Sequence, residues 1–272
     1  GDEFLGTRGC RPGETPQSAR ENNEFCIALS EITNYDFRWE WFRRPGEVIA
    51  FSLFYKEILD PIERISFTLP AEETRTVLNP LNFDRGEVRG WEFEARAGLD
   101  PLWRGFRGLA VGVNFAELNS EVEVPEIENV FLSGSGLDQE ARPLQGQPDT
   151  VLNLNVTYGN PRSKTSVAAF YNRVGRTLLS GAAVGGDGTP NVFEEPFELL
   201  DVSVRQELFR AKGRHPVYLT VRGRNLLAPE QTTLYTLPRQ RFDPDGNPLP
   251  LTEVKSSYVT ARRYAVGLSV VF

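Results

Sequence analysis

Between Thr33 and Phe42, in TNYDFRWEWF, every second residue is aromatic. Tyr35, Phe37, Trp39 and Trp41 fall on one parity, and Asn34, Asp36, Arg38 and Glu40 on the other. A β-strand sends successive side chains to opposite faces, so this run makes one aromatic face and one charged face. The following run, EVIAFSLFYKEI, repeats the pattern with Ile49, Phe51, Leu53 and Tyr55. Seven more runs alternate likewise. They begin with Trp91, Phe93, Ala95, Ala97 and Leu99, then Leu109 to Phe115 and Leu152 to Tyr158. Next come the weaker stripe Val167, Ala169 and Tyr171, then Leu200, Val202 and Val204, and then Val217 to Val221. The last is Tyr264 to Phe272. None has a helical period.

The connectors carry separate information. Those around Pro45-Gly46, Pro101 to Gly108, Gly159 to Lys164 and Ala211 to Pro216 are short. Those around Leu69 to Gly86, Glu121 to Asp149, Gly181 to Pro196 and Ala228 to Ser256 are long and rich in Gly, Pro, Asn and Asp. Strict alternation puts all short turns on one rim and all long loops on the other, as in outer-membrane barrels. A soluble β-sandwich also alternates oily and polar residues. Its strands usually run to about 5 or 6 residues, however, and its core has no need of Trp and Tyr belts near strand ends. The fold class expected is therefore all-β: an antiparallel transmembrane β-barrel segment of nine or ten long strands. Nine is odd, whereas single-chain bacterial barrels generally use an even number. Either strands precede Gly1 or one strand is missed in the count. The opening GDEFLGTRGCRPGE fits a mature domain or a piece cut from a longer protein.

Composition excludes several function classes. No stretch approaches the roughly 18 consecutive apolar residues of a spanning helix, although a spanning strand needs only about 9 to 11 residues. The net charge of −7 argues against a nucleic-acid partner and suits a surface protein or channel lining. No Ser/His/Asp arrangement, metal-ligand cluster or phosphate-cradling loop stands out, so neither catalysis nor a cofactor is expected. The one histidine, His215, reads as a turn residue, and Gly185, Gly186 and Gly188 as a flexible loop tip. Cys10 and Cys26 lie in one polar stretch, where they form either a loop disulfide or two free thiols.

Laid out in this way, Glu31 to Phe272 resembles the C-terminal part of a TonB-dependent outer-membrane receptor. The likeness lies in EITNYDFRWEWF followed by PGEVIAFSLFYKEILDPIE, and in NFDRGEVRGWEFEARAGL, PLQGQPDTVLNLNVTY and RGRNLLAPE. The terminal AVGLSVVF adds to it. The resemblance implies a 22-stranded barrel around an N-terminal plug, importing a scarce nutrient with energy from a TonB complex. Candidate nutrients are a ferric siderophore, cobalamin or a saccharide. Plug, TonB box and the remaining strands lie outside this stretch, which supplies wall and outer loops. Residues 1–32 are expected as an extracellular loop region and 33–272 as barrel, with outer-membrane lipid, plug, TonB complex and a small-molecule ligand as partners. The polar residues Asp36, Arg38, Glu40, Glu92, Glu94, Arg96, Asp201 and Arg205 face the lumen, as a plug or ligand surface or as a structural ladder of opposite charges. The loops Val124 to Pro148 and Leu227 to Val254 are the better ligand-contact candidates, the second through Tyr235, Arg239, Arg241, Asp243 and Asp245. A smaller passive pore or adhesin, and a soluble β-rich binding module, are the rival readings.

Overall fold

A computed structural model describes residues 8–21, 26–69, 75–102, 104–133, 136–184, 190–211, 215–237 and 250–271. Nine long strands form one antiparallel sheet: β1 Glu31–Trp41, β2 Val48–Leu59, β3 Arg85–Gly98, β4 Leu109–Glu123, β5 Thr150–Asn160, β6 Thr165–Val174, β7 Phe197–Ala211, β8 His215–Arg224 and β9 Arg263–Val270. Each pairs with its neighbour in chain order, and the two-residue strand Ala141–Arg142 joins β4 as a tenth member. The sheet is not closed, for β1 and β9 form its two edges. Among the described residues no helix is long and apolar enough to cross a membrane.

The nine alternating runs of the sequence are these nine strands, and the pairing register brings their apolar parities onto one face. Trp39 pairs with Phe51, Phe51 with Phe93, Phe93 with Phe115 and Phe115 with Leu152. Trp41 begins a second row through Ile49, Ala95, Val113, Leu154, Tyr171 and Leu200. Phe51, Trp91 and Phe115 touch in tilted ring pairs with centroids 6.1 and 5.1 Å apart. Among the described residues no protein layer covers this face. Tyr35, Phe37, Trp39 and Trp41 remain 62, 59, 50 and 49% exposed, and Val266 at the far edge 73%.

In β7 the register shifts between Glu207 and Phe209. One extra residue in a strand re-aims those beyond it. The shift pairs Phe209 with Val217, a member of the apolar stripe, and Phe209 is 60% exposed. An unbroken alternation would have turned it to the polar face.

The strand ends that the short connectors join, Trp41 with Val48, Gly98 with Leu109, Asn160 with Thr165 and Ala211 with His215, fall on one rim. Tightness there requires glycine at Gly108, whose φ is +81° and whose added Cβ would run into the Gly159 carbonyl. His215 begins β8 instead of lying in a turn, with Nδ1 3.2 Å from the Val271 carbonyl.

The long connectors are not the plain loops expected from their Gly, Pro, Asn and Asp content. Connector 60–84 holds a hairpin, Ile62–Leu69 with Arg75–Asn82. Connector 124–149 holds the helix Glu126–Ser133. Connectors 175–196 and 225–262 together build a four-stranded sheet from Thr177–Ser180, Asn191–Glu194, Glu230–Thr236 and Thr252–Val259. These pieces interlock as one cap. Pro148 bridges to Thr177, the Gly146 N–H donates to the Leu178 carbonyl, and Gln139 and Asn191 exchange side-chain hydrogen bonds at 3.2 and 2.9 Å. Beneath lies the buried core, in which Ile65, Leu81, Phe83, Leu132, Leu137 and Leu144 of the connectors pack on Val88 and Val122 of the wall. Val88 and Val122 belong to the polar-face parity, so the cap folds over the inner side of the sheet.

The segment before β1 docks on this cap. Asn82, fully buried, accepts from the Ala28 N–H at 2.9 Å and donates to the carbonyls of Ala28 and Asp60. Cys10 and Cys26 are bonded to each other, closing a span of 16 residues. A crosslink over that span constrains the unfolded segment by about 3 kcal/mol. Reduction is expected to raise the proteolysis rate of residues 8–27 while leaving the nine-strand wall intact. Equal cleavage before and after reduction refutes this.

Candidate functional site

The polar faces of β1 to β3 meet under the cap. Register sets Arg38 beside Ser52 and Glu92 one strand further, and sets Glu40 beside Ala50 and then Glu94. The Arg38 guanidinium reaches Glu40 at 2.6 Å, Glu94 at 3.1 Å and the Ser52 hydroxyl at 3.0 Å, and Arg96 lies 3.8 Å from Glu94. Four of the eight lumen candidates therefore form one ladder of alternating charge, in which acids and bases satisfy one another across strands.

The other charges on this face are differently placed. A cavity of 740 Å³ opens beside the ladder, and Arg38 and Ser52 share its lining with Asp36, Lys56, Glu92, Phe54, Val88 and Leu118. Leu144 and Gln147 of the cap close its upper side. Asp36 and Glu92 make no ion pair or hydrogen bond among the described residues, and the Lys56 ammonium lies 5.8 Å from the Phe54 ring centroid. Gly90 lets the Phe54 ring lie flat on β3, where an added Cβ would stand 2.6 Å from the ring. The site is thus a partly apolar cup with two acids, one amine and the Arg38 guanidinium at its wall. The volume falls in the range of small-molecule pockets, about 300 to 1,000 Å³.

Asp201 and Arg205 lie apart from this group, on β7. The Asp201 carboxylate accepts the Asn225 N–H at 2.9 Å and so ends β8. Arg205 stacks on the Tyr218 ring at 3.8 Å and, with Arg222, lines a second cavity of 480 Å³ toward the short-turn rim. Tyr235 stands in the cap sheet under Lys255, 5.4 Å from the ring centroid. Arg239, Arg241, Asp243 and Asp245 lie outside the described residues, as do Gly185, Gly186 and Gly188.

Cap residues absent from the sequence reading hold it together. The Arg142 guanidinium donates to Glu63 at 2.7 Å, with side chains only 1 and 5% exposed, and it rests 4.8 Å from the centre of the Phe83 ring. Burial pushes the Glu63 carboxyl above the ordinary carboxylate range, opposed by Arg142 and by the Gln145 N–H. A buried acid beside an alternating apolar residue gives no period to read. Arg176 ties three connector strands, reaching Glu195 at 2.9 Å and the Thr236 hydroxyl at 2.9 Å over the Phe193 ring.

Comparison with known proteins adds a family. Residues 30–226 match the family described as TonB dependent receptor-like, beta-barrel. No curated protein matches the chain. A solved structure of P. aeruginosa FpvA bound to heterologous pyoverdines, as an iron complex, aligns with 13% identity and a TM-score of 0.49. The alignment covers 85% of this chain and 26% of that one, so this chain spans about a quarter of that protein's length.

Proposed function

The chain belongs to the TonB-dependent receptor β-barrel family, and from that premise we propose that it forms wall and outer cap of an energised outer-membrane receptor for a small polar nutrient. The outer membrane is its location, and the exposed aromatic face of the sheet is the surface that meets lipid. An open sheet edge in hydrocarbon leaves backbone groups unpaired at several kcal/mol each. The edges of β1 and β9 therefore require further strands, which the reading assigns to the rest of the receptor barrel.

The observation that carries the reading is the mixed-charge cavity between wall and cap. Its acids, Asp36 and Glu92, accept hydrogen bonds from a ligand's hydroxyl or amine groups. Lys56 meets an anionic oxygen, and Phe54 and Leu144 take an apolar portion. A ferric siderophore, cobalamin and a saccharide each present such groups. In this arrangement the Arg38–Glu94 ladder keeps the strands in register and, through Arg38, presents a guanidinium to the same cavity. Arg205 and Arg222, at mid-depth toward the short-turn rim, face acidic groups of the plug, whose rearrangement by the TonB complex releases the ligand inward.

Titration of the full receptor with a panel of these three nutrient classes tests the proposal. Asp36→Asn combined with Glu92→Gln is expected to weaken binding of the preferred class by at least about tenfold, since hydrogen bonds to charged groups contribute about 1.5 to 3 kcal/mol each. Undiminished affinity in the double variant removes the cavity from the account.

A further inference from the structure

At the other end of the sheet the polar face carries charge that neither the ladder nor the cavity beside it uses. Strands β5 to β9 hold six arginines and three acids. Arg173 pairs with Glu198 at 3.6 Å on the lipid side, and Arg210 with Glu207 at 2.9 Å. That leaves Arg205, Arg222, Arg224 and Arg263, all on the inward parity, against Asp201 alone. The four are exposed and make no ion pair or hydrogen bond among the described residues. The Asp201 carboxylate is turned to the Asn225 N–H at 2.9 Å. Of the cap acids, Glu195 pairs with Arg176 and Glu230 accepts the Ser257 hydroxyl. Glu194 and Glu253 stand farther up, in register with Thr233 and Tyr235 of the cap sheet.

Register gathers these cations. Arg224 stands directly opposite Arg263, Arg222 opposite Ala265 and Arg205 opposite Thr220. They therefore go down the inner wall in three rows from the long-connector end, over about 14 Å. Like charges directly opposite on one face destabilise a strand pair, and a bridging anion relieves the repulsion. Room for one lies beside them. The inward residues of β9 next to Arg222 and Thr220 are Ala265 and Gly267, and over them opens a hollow of 240 Å³ that Arg222, Thr220 and Ser269 also line. An added Cβ at Gly267 would meet nothing within 4 Å.

We propose that Arg222, Arg224 and Arg263 form a site for a small oxyanion, the phosphate or carboxylate group of an imported solute. The inference rests on the polar face being the lumen wall. Plug carboxylates set against Arg205 and Arg222 leave the upper pair, Arg224 and Arg263, unanswered. The planar guanidinium fork matches two oxygens of a phosphate or carboxylate, so Arg224 and Arg263 hold the anion from two strands while Arg222 meets it from the row below. The Thr220 and Ser269 hydroxyls donate to oxygens that reach the hollow. A neutral solute finds nothing there to answer three guanidiniums.

Calorimetric titration of the full-length receptor with inorganic phosphate tests this, with citrate as a carboxylate competitor and sucrose as a neutral control. One phosphate is expected to bind saturably, citrate to displace it and sucrose to leave it in place. Arg224→Gln and Arg263→Gln should each weaken phosphate binding at least about tenfold, the loss of one charge-assisted hydrogen bond. Asp201→Asn keeps an acceptor for the Asn225 N–H and removes the neighbouring negative charge, so it should tighten binding, a sign that a merely structural role does not produce. Arg173→Gln, on the lipid side, should change nothing. Phosphate should also raise the Tm of the unaltered receptor and not that of Arg263→Gln. Heat-dependent electrophoretic mobility verifies that each variant is folded. The nutrient titration of the Asp36 and Glu92 cavity reads other residues, so the two results fail independently. Absence of saturable phosphate binding in the unaltered receptor, as when plug carboxylates fill the site, overturns the proposal. So does displacement by sucrose, full affinity in either arginine variant, or weaker binding in Asp201→Asn.

Discussion

Arg142→Ala destabilises the cap by roughly 3 to 5 kcal/mol, because it strands a buried carboxylate. Glu63 is held by the Arg142 guanidinium and by the Gln145 N–H, 3.3 and 3.4 Å from its two oxygens, above the Phe83 ring and the core at Val122 and Leu144. Without Arg142 no cation offsets its desolvation. Hydrogen exchange at the Ile62–Leu69 amides reads the loss, with the amides of β4 and β5 as an unaffected reference. Replacing both partners by apolar residues of similar volume should restore most of the protection, since a buried pair adds little beyond what packing supplies. Among the described residues two Arg142 nitrogens, Nε and Nη2, have no hydrogen-bond partner, so the native pair is itself incompletely satisfied. Protection equal to the unaltered protein in Arg142→Ala refutes the argument.

The pH dependence follows from the direction of the Glu63 shift. Its folded value is raised above 4.5, so the folded cap holds the proton more tightly than the unfolded chain does. The contribution of this group is fully present below the unfolded value and is lost as pH rises through the folded one. Acidification therefore does not open the cap through Glu63. In Arg142→Ala the carboxyl rises further, and the loss of protection shrinks as pH falls. Glu63→Gln should flatten that dependence.

Leu154→Arg is expected to cost about 1 to 3 kcal/mol more than Asn153→Arg, its neighbour in sequence. Leu154 lies on the exposed stripe between Val113 and Tyr171, near the middle of β5. A cation near the bilayer midplane on that face costs about 2 to 4 kcal/mol. Asn153 faces inward and accepts from Asn172 at 2.8 Å, so its replacement forfeits one exposed hydrogen bond, about 1 kcal/mol. Denaturant titration of the receptor in lipid vesicles measures both. A sheet with its apolar side against protein would give the same order but no dependence on bilayer thickness, whereas here a thinner bilayer should reduce the cost at Leu154.

The wall was legible because its two solvents differ. Lipid on one side and water on the other impose a period of two that TNYDFRWEWF and its eight counterparts carry openly. The trace is thin at β6, where the stripe is only Val167, Ala169 and Tyr171, and it breaks at β7, where the bulge after Val204 returns Phe209 to the apolar side. The cap strands were not legible. EQTTLYT has polar residues on both parities, and IERISFTL hides a buried acid beside Ile65, so neither shows a face. Asp36, Arg38 and Glu92 were singled out from parity alone. That all three border one cavity, with Arg38 also tied into the ladder, depends on register across three strands and on Leu144 and Gln147, more than 100 positions from Asp36 in the chain.

The four long connectors are linked in series, Glu63–Arg142 joining the first to the second, Gln139–Asn191 the second to the third and the cap sheet the third to the fourth, so each is expected to open together with its neighbours. An antibody or phage protein gripping the tip of any one of them would therefore immobilise all, and a deletion in one would be felt at epitopes carried by the others.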